Sequence, residues 1–567
     1  MRVTLIRPPA VSNRFSFTAG STIPPVGLAY LVACADAAGH DVTVIDSLGE
    51  GIREFRKIAK YDVLINGISP SEILKAIPKD TEIIGMSCMF SSEWFYDDYI
   101  IKLIRAQFPR VPIVIGGEHV TAEWQNLLRV CPEIDYCVLG EGEETLLELL
   151  RCLQLGHDLD TVNGIAYRFQ GQPKKNSPRR RSKKLDDMPL PAWDKLPIRN
   201  YHDAKYSMSA MNRVAIPLIA SRGCPFSCTF CSAPQMWGNE LSYRSPRSVV
   251  DEIKLYVKKY GIDHVDFLDI VGVINRKWTQ ELLTLMVEEN LPVTWHHGAG
   301  TRSEILDKEM LNLFKKSKTS RISYAPESGS EETIARIQKR INFDKMTAAM
   351  IYTNKLGIPM RAPLIFGFPG QTLKEAFQNV RFALKMTWLG VDDVVCHAFA
   401  PYPGSQYHRE LVESKRIDLE KLITQGTYND FLRGAVVCGY KTVSWSEHIP
   451  NWMLPLFQFG TMALHYSFGM LIRPWRLWKS LKRSFWTKKP LTFFDHALVY
   501  LTQGTPHRAK FESVEEDEFT SWKWKANSGF NQGVLGVDGS VPAANDQGSV
   551  APSLVPETFR NVGSSHQ

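Results

Sequence analysis

Three cysteines lie within eight residues of one another: Cys224, Cys228 and Cys231, in a C-x3-C-x2-C array. Thiols at this spacing suit a metal site, and three of them can hold three irons of a cubane cluster while the fourth iron stays open to a small molecule. Three other interpretations compete: a zinc knuckle without its fourth ligand, a redox pair with a spare thiol, and ordinary structural thiols. The other seven cysteines are scattered at no ligand-like spacing, which favours a metal site at the array.

Short apolar runs alternate with amphipathic stretches on both sides of the array, which is typical of β-α-β units around a parallel sheet. Residues 1–155 predict an open, doubly wound, Rossmann-like α/β domain. Residues 214–410 contain six further β-α repeats, fewer than a closed barrel needs, and predict a partial (β/α)6 TIM-type barrel. The array follows the first barrel strand, at the end where parallel barrels carry their active sites.

The composition changes between and after these two domains. Residues 156–213 predict a linker, because closely spaced prolines follow a basic run at 173–184. We expect this run to be a solvated loop and not an RNA-binding patch, since no aromatic residue interrupts it; nucleic acid is therefore not an expected partner. Residues 411–525 predict a mainly helical extension, and residues 526–567 a disordered tail.

Small residues follow several predicted strands of the first domain. Open α/β sheets bind ligands beyond the carboxyl ends of their strands, and glycine lets the backbone approach a ligand closely. Tight β-to-α turns would use the same residues, so that alternative stays open. The candidate ligand-binding residues are Gly27, Ser87, Gly116, Gly117, Gly140 and Gly142.

Several motifs together resemble those of the B12-dependent, cobalamin-binding radical S-adenosylmethionine (SAM) enzymes of the methyltransferase and cyclase type. The resemblance covers roughly residues 1–410. Its motifs are Pro24-Pro-Val-Gly27, Ile115-Gly-Gly-Glu-His119, Leu139-Gly-Glu-Gly-Glu143, the cysteine array and Glu327-Ser-Gly-Ser330.

The resemblance implies an enzyme with three cofactors: a 4Fe-4S cluster held by the array, SAM at its open iron, and cobalamin in the first domain. An electron from a donor such as flavodoxin or ferredoxin would cleave SAM to a 5′-deoxyadenosyl radical. That radical would take a hydrogen from a small-molecule substrate, whose carbon then receives a methyl group from methylcobalamin. The leading prediction is a C-methyltransferase acting at an unactivated carbon.

Individual residues carry over from the family by position. The resemblance implies that Glu327 and Ser328 make polar contacts with SAM and that Phe230 packs on its adenine. Asp269 is a further candidate for a cofactor contact, although related sequences often have a second aspartate where this chain has Ile270.

The first domain departs from other cobalamin proteins in its histidines. The Asp-x-His-x-x-Gly motif, whose imidazole ligates cobalt in many of them, is missing, and His40 stands between Gly39 and Asp41. His119 follows a Gly-Gly turn, where a lone histidine is more typical of a polar contact than of a ligand. A cobalamin bound here is therefore expected to lack a histidine on its lower face.

Two other functions stay open. The first keeps the cofactors and changes the outcome to radical oxidative cyclisation or rearrangement, as in the anaerobic tetrapyrrole cyclases with this architecture. The second is a cobalamin and iron–sulfur sensor without turnover.

The cysteine content indicates the compartment. Ten cysteines in 567 residues do not make a disulfide framework, and the first residues run into a strand-like segment without the order of a secretion signal. We therefore expect a reducing cytoplasm. The net charge of +7 is modest for this length.

A 22-residue span, 451–472, contains no Asp, Glu, Lys or Arg, and an aromatic, basic stretch follows it as far as Trp486. Helices that pack across the barrel mouth are the favoured interpretation. An amphipathic segment at a membrane interface is the second. A membrane span is the least favoured, because Pro455 and several polar residues interrupt the stretch. The segment motivates the hypothesis of a lipid-like, tetrapyrrole-like or secondary-metabolite substrate and of a peripheral membrane contact.

Overall fold

The computed structural model describes most of the first 503 residues. The expected tail, 526–567, lies outside the described part of the chain. The described residues are 1–13, 23–58, 61, 63–204, 213–425, 442–503 and 519.

Within the described residues, the N-terminal half contains the following strands and α-helices. The strands are β1 (Arg2–Arg7), β2 (Ala10–Asn13), β3 (Asp41–Asp46), β4 (Phe55–Ile58), β5 (Val63–Asn66), β6 (Ile83–Ser87), β7 (Ile113–Gly116), β8 (Tyr136–Val138), β9 (Ile165–Phe169) and β10 (Gln172–Lys175). The helices are α1 (Val26–Ala37), α2 (Ser47–Glu50), α3 (Pro70–Ala76), α4 (Trp94–Gln107), α5 (Glu118–Val130) and α6 (Glu143–Leu155).

The main sheet of this half has the order β10-β9-β8-β7-β6-β1-β3. Strand β1 pairs in parallel with β3 on one side and with β6 on the other, so the winding direction reverses between β1 and β6. Ligands of doubly wound sheets bind beyond the carboxyl ends of the strands at such a switch point. The predicted doubly wound domain is confirmed.

The structure adds strands that the sequence analysis did not predict. Strands β9 and β10 form an antiparallel hairpin on the edge of the main sheet, although they come from the segment expected to be a linker. Strands β2, β5 and β4 form a small antiparallel sheet of their own. The domain limits given above therefore stay predictions, and the main sheet continues to Lys175.

The second half is a partial barrel. Six of its strands form a parallel sheet in the order β11-β14-β15-β16-β17-β18, as the predicted (β/α)6 architecture requires, and β12 and β13 form a separate antiparallel pair. The strands are β11 (Ala215–Leu218), β12 (Ser221–Arg222), β13 (Ser242–Tyr243), β14 (His264–Phe267), β15 (Thr294–His297), β16 (Thr319–Ser323), β17 (Met360–Phe366) and β18 (Asp393–Ala398). The helices are α7 (Ile198–Ala204), α8 (Ala233–Trp237), α9 (Pro246–Tyr260), α10 (Arg276–Glu288), α11 (Lys308–Lys316), α12 (Glu331–Arg336), α13 (Phe343–Lys355), α14 (Leu373–Leu389), α15 (Gln406–Glu413) and α16 (Leu419–Gln425).

Local chemistry explains where the barrel helices begin. Thr372 precedes α14, and its side chain accepts a hydrogen bond from the amide of Glu375 while the Glu375 carboxylate accepts one from the Thr372 amide. Such a capping box satisfies amide groups that the first helical turn leaves without partners, and an N-cap of this kind contributes about 1 kcal/mol. Between helices and sheet, Val265, Trp295 and Leu364 contribute to one buried core.

A helical extension follows the barrel: α17 (Met453–Ile472), α18 (Trp475–Leu481), a π-helical turn (Lys482–Trp486) and α19 (Phe493–Gln503). Helix α17 packs on α14 and along β18, the last strand of the sheet. The amide of Val394 donates to Nε2 of His465 at 3.3 Å, and Nε2 of Gln458 donates to the Cys396 carbonyl at 3.4 Å. Polar side chains of α17 therefore satisfy backbone groups of an edge strand. No helix in the described part of the chain is long and apolar enough to cross a bilayer.

The stability of the first domain is expected to depend on Glu123 of α5. This side chain is buried, and burial raises its pKa from 4.5 to about 7 against a hydrogen bond from Asn126. The folded chain thus binds the proton more tightly than the unfolded chain, so the stabilisation is complete below pH 4.5 and is lost as the pH rises through about 7. Relative to Glu123→Gln, the wild type should lose about 3 kcal/mol of unfolding free energy over this range.

Urea unfolding of both proteins at a series of pH values measures this difference. Glutamine keeps an acceptor for Asn126 and removes the titration, so it is the matched control. If the unfolding free energies of the two proteins changed by the same amount over this pH range, Glu123 would not be the group responsible.

Candidate functional site

The cysteine loop begins after β12 and is anchored to the end of α12 and to the first turn of α15. The amide of Thr229 donates to the carbonyl of Ile337 at 3.1 Å, and the amide of Tyr407 donates to the carbonyl of Thr229 at 3.0 Å. Within the loop, the amide of Cys231 donates to the carbonyl of Cys228 at 3.1 Å. Backbone hydrogen bonds therefore hold the array in place without using its thiols.

The three array cysteines differ from the other described cysteines in exposure. Cys224, Cys228 and Cys231 are partly exposed, whereas the other six that the structure describes are buried. Among the described residues, no three His, Cys, Asp or Glu side chains stand close enough together to bind a single metal ion. Cluster ligands each bind a different iron, so partly accessible thiols on one loop fit a 4Fe-4S cluster.

Nearby cations favour the ligand form of two of these thiols. Burial raises the pKa of Cys224 and Cys228, and the positive charges of Lys339 and Arg302 oppose that rise. Burial raises the pKa of Cys231 to about 12. Because the thiolate is the metal ligand, Lys339 and Arg302 support iron binding by these two cysteines.

Glu327 lies in the same electrostatic environment. Nζ of Lys339 donates to Oε1 of Glu327 at 2.6 Å, and the carboxylate acts on the pKa of Cys228. Glu327 also has a φ of 60°, and its backbone forms a bridge with Leu364. A left-handed conformation is uncommon for a residue other than glycine and is often retained at functional sites. The SAM contact predicted for Glu327 stays a prediction, and its position beside the array supports it.

Ser328 and Phe230 have protein partners in the structure. Ser328 is buried, and its Oγ donates to Oδ1 of Asn379 on α14 at 2.7 Å. The ring of Phe230 meets the ring of Phe368 edge-on, with 5.8 Å between centroids. The hydroxyl of Ser328 thus supports the turn after β16, and the predicted contacts of both residues with SAM stay predictions.

Asp269 holds the chain that enters the cysteine loop. Its Oδ1 accepts hydrogen bonds from the Ala220 amide at 3.1 Å, from Oγ of Ser221 at 2.6 Å, and from the Ser221 amide. Burial raises the pKa of Asp269 to about 6. The side chain predicted to contact a cofactor is therefore also a positioning residue for the loop that carries the array.

The first-domain candidates lie at the carboxyl edge of the main sheet. Ser87 and Gly116 end β6 and β7, and Gly117 precedes α5 with a φ of 125°. A Cβ on Gly117 would lie 2.5 Å from the carbonyl oxygen of Cys88, so only glycine fits there. Gly27 is at the first turn of α1, which also begins at this edge.

The turn after β8 completes this edge. Gly140 has a φ of 73°, and Gly142 directly precedes α6. Beside the switch point, Met89 and Phe90 are 40% and 59% exposed. Tight glycine turns and exposed apolar side chains at one edge fit a large, flat macrocycle such as the corrin of cobalamin.

Neither histidine of interest lies exposed at this edge. His40 precedes β3 and is therefore at the amino edge, where its Nδ1 lies 3.4 Å from the N-terminal amine. His119 is buried, with Nδ1 2.8 Å from Oγ of Ser91, and burial lowers its pKa to about 3. The hydrogen bond of His119 agrees with the polar-contact interpretation.

The carboxyl edges of the two domains face each other across polar contacts. Ser232, next to the last array cysteine, donates its hydroxyl to Glu118, next to Gly117. The guanidinium of Arg222 is 6% exposed and donates to Glu143 at 2.6 Å and to Glu141 at 3.4 Å. These pairs place the cysteine loop beside the glycine turns of the first domain.

The basic run also takes part in this interface, which corrects the expectation of a solvated loop. Arg181 donates to the carbonyl oxygen of Trp237 at 3.0 Å and to the carboxylate of Glu141 at 3.3 Å. Together with Arg222 these residues line a cavity of about 1200 Å³ between the first domain, the basic run and the segment after the array. The signal in the sequence was opposite charge: the Leu139-Gly-Glu-Gly-Glu143 turn carries carboxylates, and Arg222 lies two residues before the first array cysteine.

We expect replacement of all three array cysteines by alanine to remove the visible absorbance of a reconstituted cluster and all reductive cleavage of SAM. The physical reason is the loss of every thiolate ligand that the loop offers. Absorbance spectra, iron content and 5′-deoxyadenosine formation measure the effect. Cys152→Ser, in a helix of the first domain away from the loop, is the matched control and should leave all three unchanged. Retained cleavage in the triple variant would refute the ligand assignment.

Asp269→Ala should lower iron retention after reconstitution and destabilise the fold by about 1–3 kcal/mol, because buried donors lose their acceptor. Asp269→Asn keeps an acceptor oxygen and should retain more iron than the alanine variant. Iron per chain, measured well below the thermal midpoint of each variant, separates loop positioning from global unfolding. Equal iron content in wild type and Asp269→Ala would contradict a positioning role.

Comparison with known proteins agrees with this geometry. A family model described as the B12 binding domain matches residues 16–150, and one described as the Radical SAM superfamily matches residues 218–383. An uncharacterized methyltransferase of Pyrococcus horikoshii is 30% identical over 72% of this chain and 82% of its own length. Cytidylyl-2-hydroxyethylphosphonate methyltransferase of Streptomyces wedmorensis is 28% identical over 71% and 80% of the two chains.

A cyclase and a solved structure show the same similarity. Anaerobic magnesium-protoporphyrin IX monomethyl ester cyclase of Rubrivivax gelatinosus is 28% identical over 70% of this chain and 68% of its own. The radical SAM methyltransferase TsrM of Kitasatospora setae, solved with cobalamin and a 4Fe-4S cluster, has the same fold: the TM-score is 0.59, with 15% identity over 82% of this chain and 88% of that one. The chain therefore belongs to the cobalamin-dependent radical SAM family and is a radical SAM enzyme, with the 4Fe-4S cluster, SAM and cobalamin as its cofactors.

Proposed function

We propose that the enzyme is a C-methyltransferase that acts at an unactivated carbon of a small-molecule substrate. The observation that carries this proposal is the contact between Ser232 and Glu118, which sets the cysteine loop against the glycine edge of the first domain. The residues that would hold the cluster and those that would hold cobalamin then face one space, which a substrate carbon could enter. The methyltransferases among the relatives support the same outcome.

When bound, the cluster with SAM supplies a hydrogen-abstracting radical, and cobalamin supplies the methyl group. The chain's own residues hold these groups in place. Cys224, Cys228 and Cys231 hold the cluster; Lys339 keeps positive charge beside them and is itself oriented by Glu327. The Arg222 contacts fix the spacing between the domains.

The proposal also covers the electron donor, the location of the enzyme in the cell and the class of substrate. The electron comes from a small donor protein such as flavodoxin or ferredoxin, and the enzyme works in the cytoplasm with a peripheral membrane contact. The substrate is hydrophobic, either lipid-like, tetrapyrrole-like or a secondary metabolite. The aromatic and basic residues of 451–486 support this substrate class.

Oxidative cyclisation or rearrangement is the second candidate. The similarity to the Rubrivivax gelatinosus cyclase favours it, since that relative matches this chain over both domains. The third possibility from the sequence, a sensor without turnover, is not retained, because the chain belongs to a family of enzymes and has a complete cysteine array beside Glu327 and Lys339.

One assay separates these functions. Reconstituted enzyme, a strong reductant, methyl-labelled SAM and a metabolite extract from a strain lacking the gene should yield a labelled product together with 5′-deoxyadenosine. Label in the product requires transfer of the SAM methyl group, which cyclisation does not perform. Mass spectrometry detects both compounds, and the triple cysteine variant is the control.

The other outcomes are equally specific. 5′-Deoxyadenosine with a new but unlabelled product would overturn methyl transfer in favour of cyclisation or rearrangement. No 5′-deoxyadenosine from protein with an intact cluster, in any extract, would overturn catalysis in favour of a sensor.

A further inference from the structure

Helix α17 carries an apolar stripe on the side that faces away from the barrel. One face packs on β18 and α14, while large apolar side chains recur on the other face at intervals of three to seven residues along a helix about 30 Å long. The stripe consists of Trp452 (68% exposed), Leu456 (62%), Phe459 (41%), Leu464 (49%) and Leu471 (80%). A helix that covers an edge strand needs only one apolar face. The second, exposed apolar face of α17 therefore indicates that this helix binds another partner.

The neighbouring segments extend this stripe into a larger surface. The rings of Trp478 and Trp486 lie 5.5 Å apart, and both are well exposed, at 59% and 65%. We call the whole set the aromatic surface; besides the stripe it contains Phe377 and Trp388 of α14, Trp475, Leu477, Trp478 and Trp486.

The charge around the aromatic surface is mainly positive, although two of its arginines have acidic partners: Arg476 lies 3.8 Å from Asp392, and Arg483 lies 2.7 Å from Asp495. Residues 451–494 contain seven Lys or Arg and no Asp or Glu, which equals the formal net charge of +7 of the whole chain and leaves the remainder neutral. Helix α14 has one acidic residue, Glu375, which is buried and paired with Arg336 at 2.7 Å. The exposed cations of the C-terminal part are Lys479, Lys482, Lys488 and Lys489.

The positive charge indicates which kind of partner the aromatic surface binds. A second copy of the chain, docked through the same patch, would bring two surfaces of equal positive charge together, and such like-charge contact is unfavourable. Anionic lipid headgroups complement the lysines, and tryptophan and aliphatic side chains favour the boundary between headgroups and acyl chains.

We propose that the aromatic surface docks on an anionic phospholipid bilayer, with α17 lying in the plane of the interface. This inference deepens the membrane contact included in the proposed function; it rests on that contact and not on methyl transfer. It names the residues that enter the bilayer and the lipid class that attracts them.

The position of α17 connects docking with the barrel. The same helix that presents the stripe bonds the edge of β18 through His465 and Gln458. A docked bilayer therefore lies beside the helix that covers the last strand of the partial barrel.

Vesicle co-sedimentation of the full chain tests the proposal without requiring turnover. The probe is phosphatidylcholine vesicles containing about one third phosphatidylglycerol, with pure phosphatidylcholine for comparison. The wild type should bind the anionic vesicles much more tightly than the neutral ones, and salt should weaken binding. Lys479→Gln/Lys482→Gln/Lys489→Gln should bind the anionic vesicles roughly a hundredfold more weakly.

A second pair of variants, one test and one control, examines the apolar residues of the aromatic surface. Leu471→Glu/Trp478→Glu should abolish most binding, whereas Leu155→Glu/Phe169→Glu, at comparably exposed residues of the first domain, should leave it unchanged. Circular dichroism and cluster absorbance confirm that each variant is folded.

Three results would overturn the proposal. Equal binding by wild type and both surface variants places any lipid contact elsewhere. Absence of vesicle binding by the wild type, with the surface protected from proteolysis within a monomer, would mean that another segment of the chain covers it. A concentration-dependent dimer in sedimentation velocity, lost in Leu471→Glu/Trp478→Glu and without lipid binding, would assign the surface to a second copy. None of these results depends on whether the enzyme methylates its substrate.

Discussion

The buried guanidinium of Arg222 connects the two halves of the molecule. It lies between Glu141 and Glu143 of the first domain while its backbone leads directly into the cysteine array. A buried cation needs carboxylate partners, and removing one side of such a pair typically costs 3–5 kcal/mol. The ion pairs therefore hold the turn after β8 and the array together, and chemistry shared between two cofactor sites depends on that fixed spacing.

Two other carboxylates accept hydrogen bonds from residues that flank the cysteine array. Asp269 gathers donors from Ala220 and Ser221, and Glu118 receives the hydroxyl of Ser232. Both contacts surround the loop that carries the thiols. A fixed loop matters because the cofactors supply the reactivity, whereas the protein determines which substrate atom reacts. It does so by holding the cofactors and the substrate in fixed positions.

Sequence patterns were sufficient for the β-α order, the partial barrel and the location of the array. Each of these follows from local periodicity or from cysteine spacing, which need no knowledge of distant partners. The hairpin of β9 and β10 escaped prediction because its second strand, Gln172–Lys175, is short and polar and is stabilised by pairing with its neighbour.

The contacts of individual side chains could not be predicted for the same reason, because they depend on residues that are distant in the sequence. Arg181 looks like one of many solvated cations in its run, and only the tertiary structure shows that it bonds Trp237 and Glu141. Ser328 belongs to a motif of the family, yet its hydroxyl bonds Asn379 of a helix 51 residues further along the chain. Partner choice over such separations is set by the packing of whole elements, which no local pattern contains.

Helix α17 shows that two interpretations of the same stretch of sequence can both hold. A span without charged residues can pack against a barrel or face a membrane, and α17 has enough apolar residues for both faces. Its buried face includes His465 and Gln458, polar residues that lower the hydropathy of the span but are required by the open edge of β18. Those residues argue against a helix that crosses a bilayer and, for the same reason, for a helix that lies between a protein and another surface.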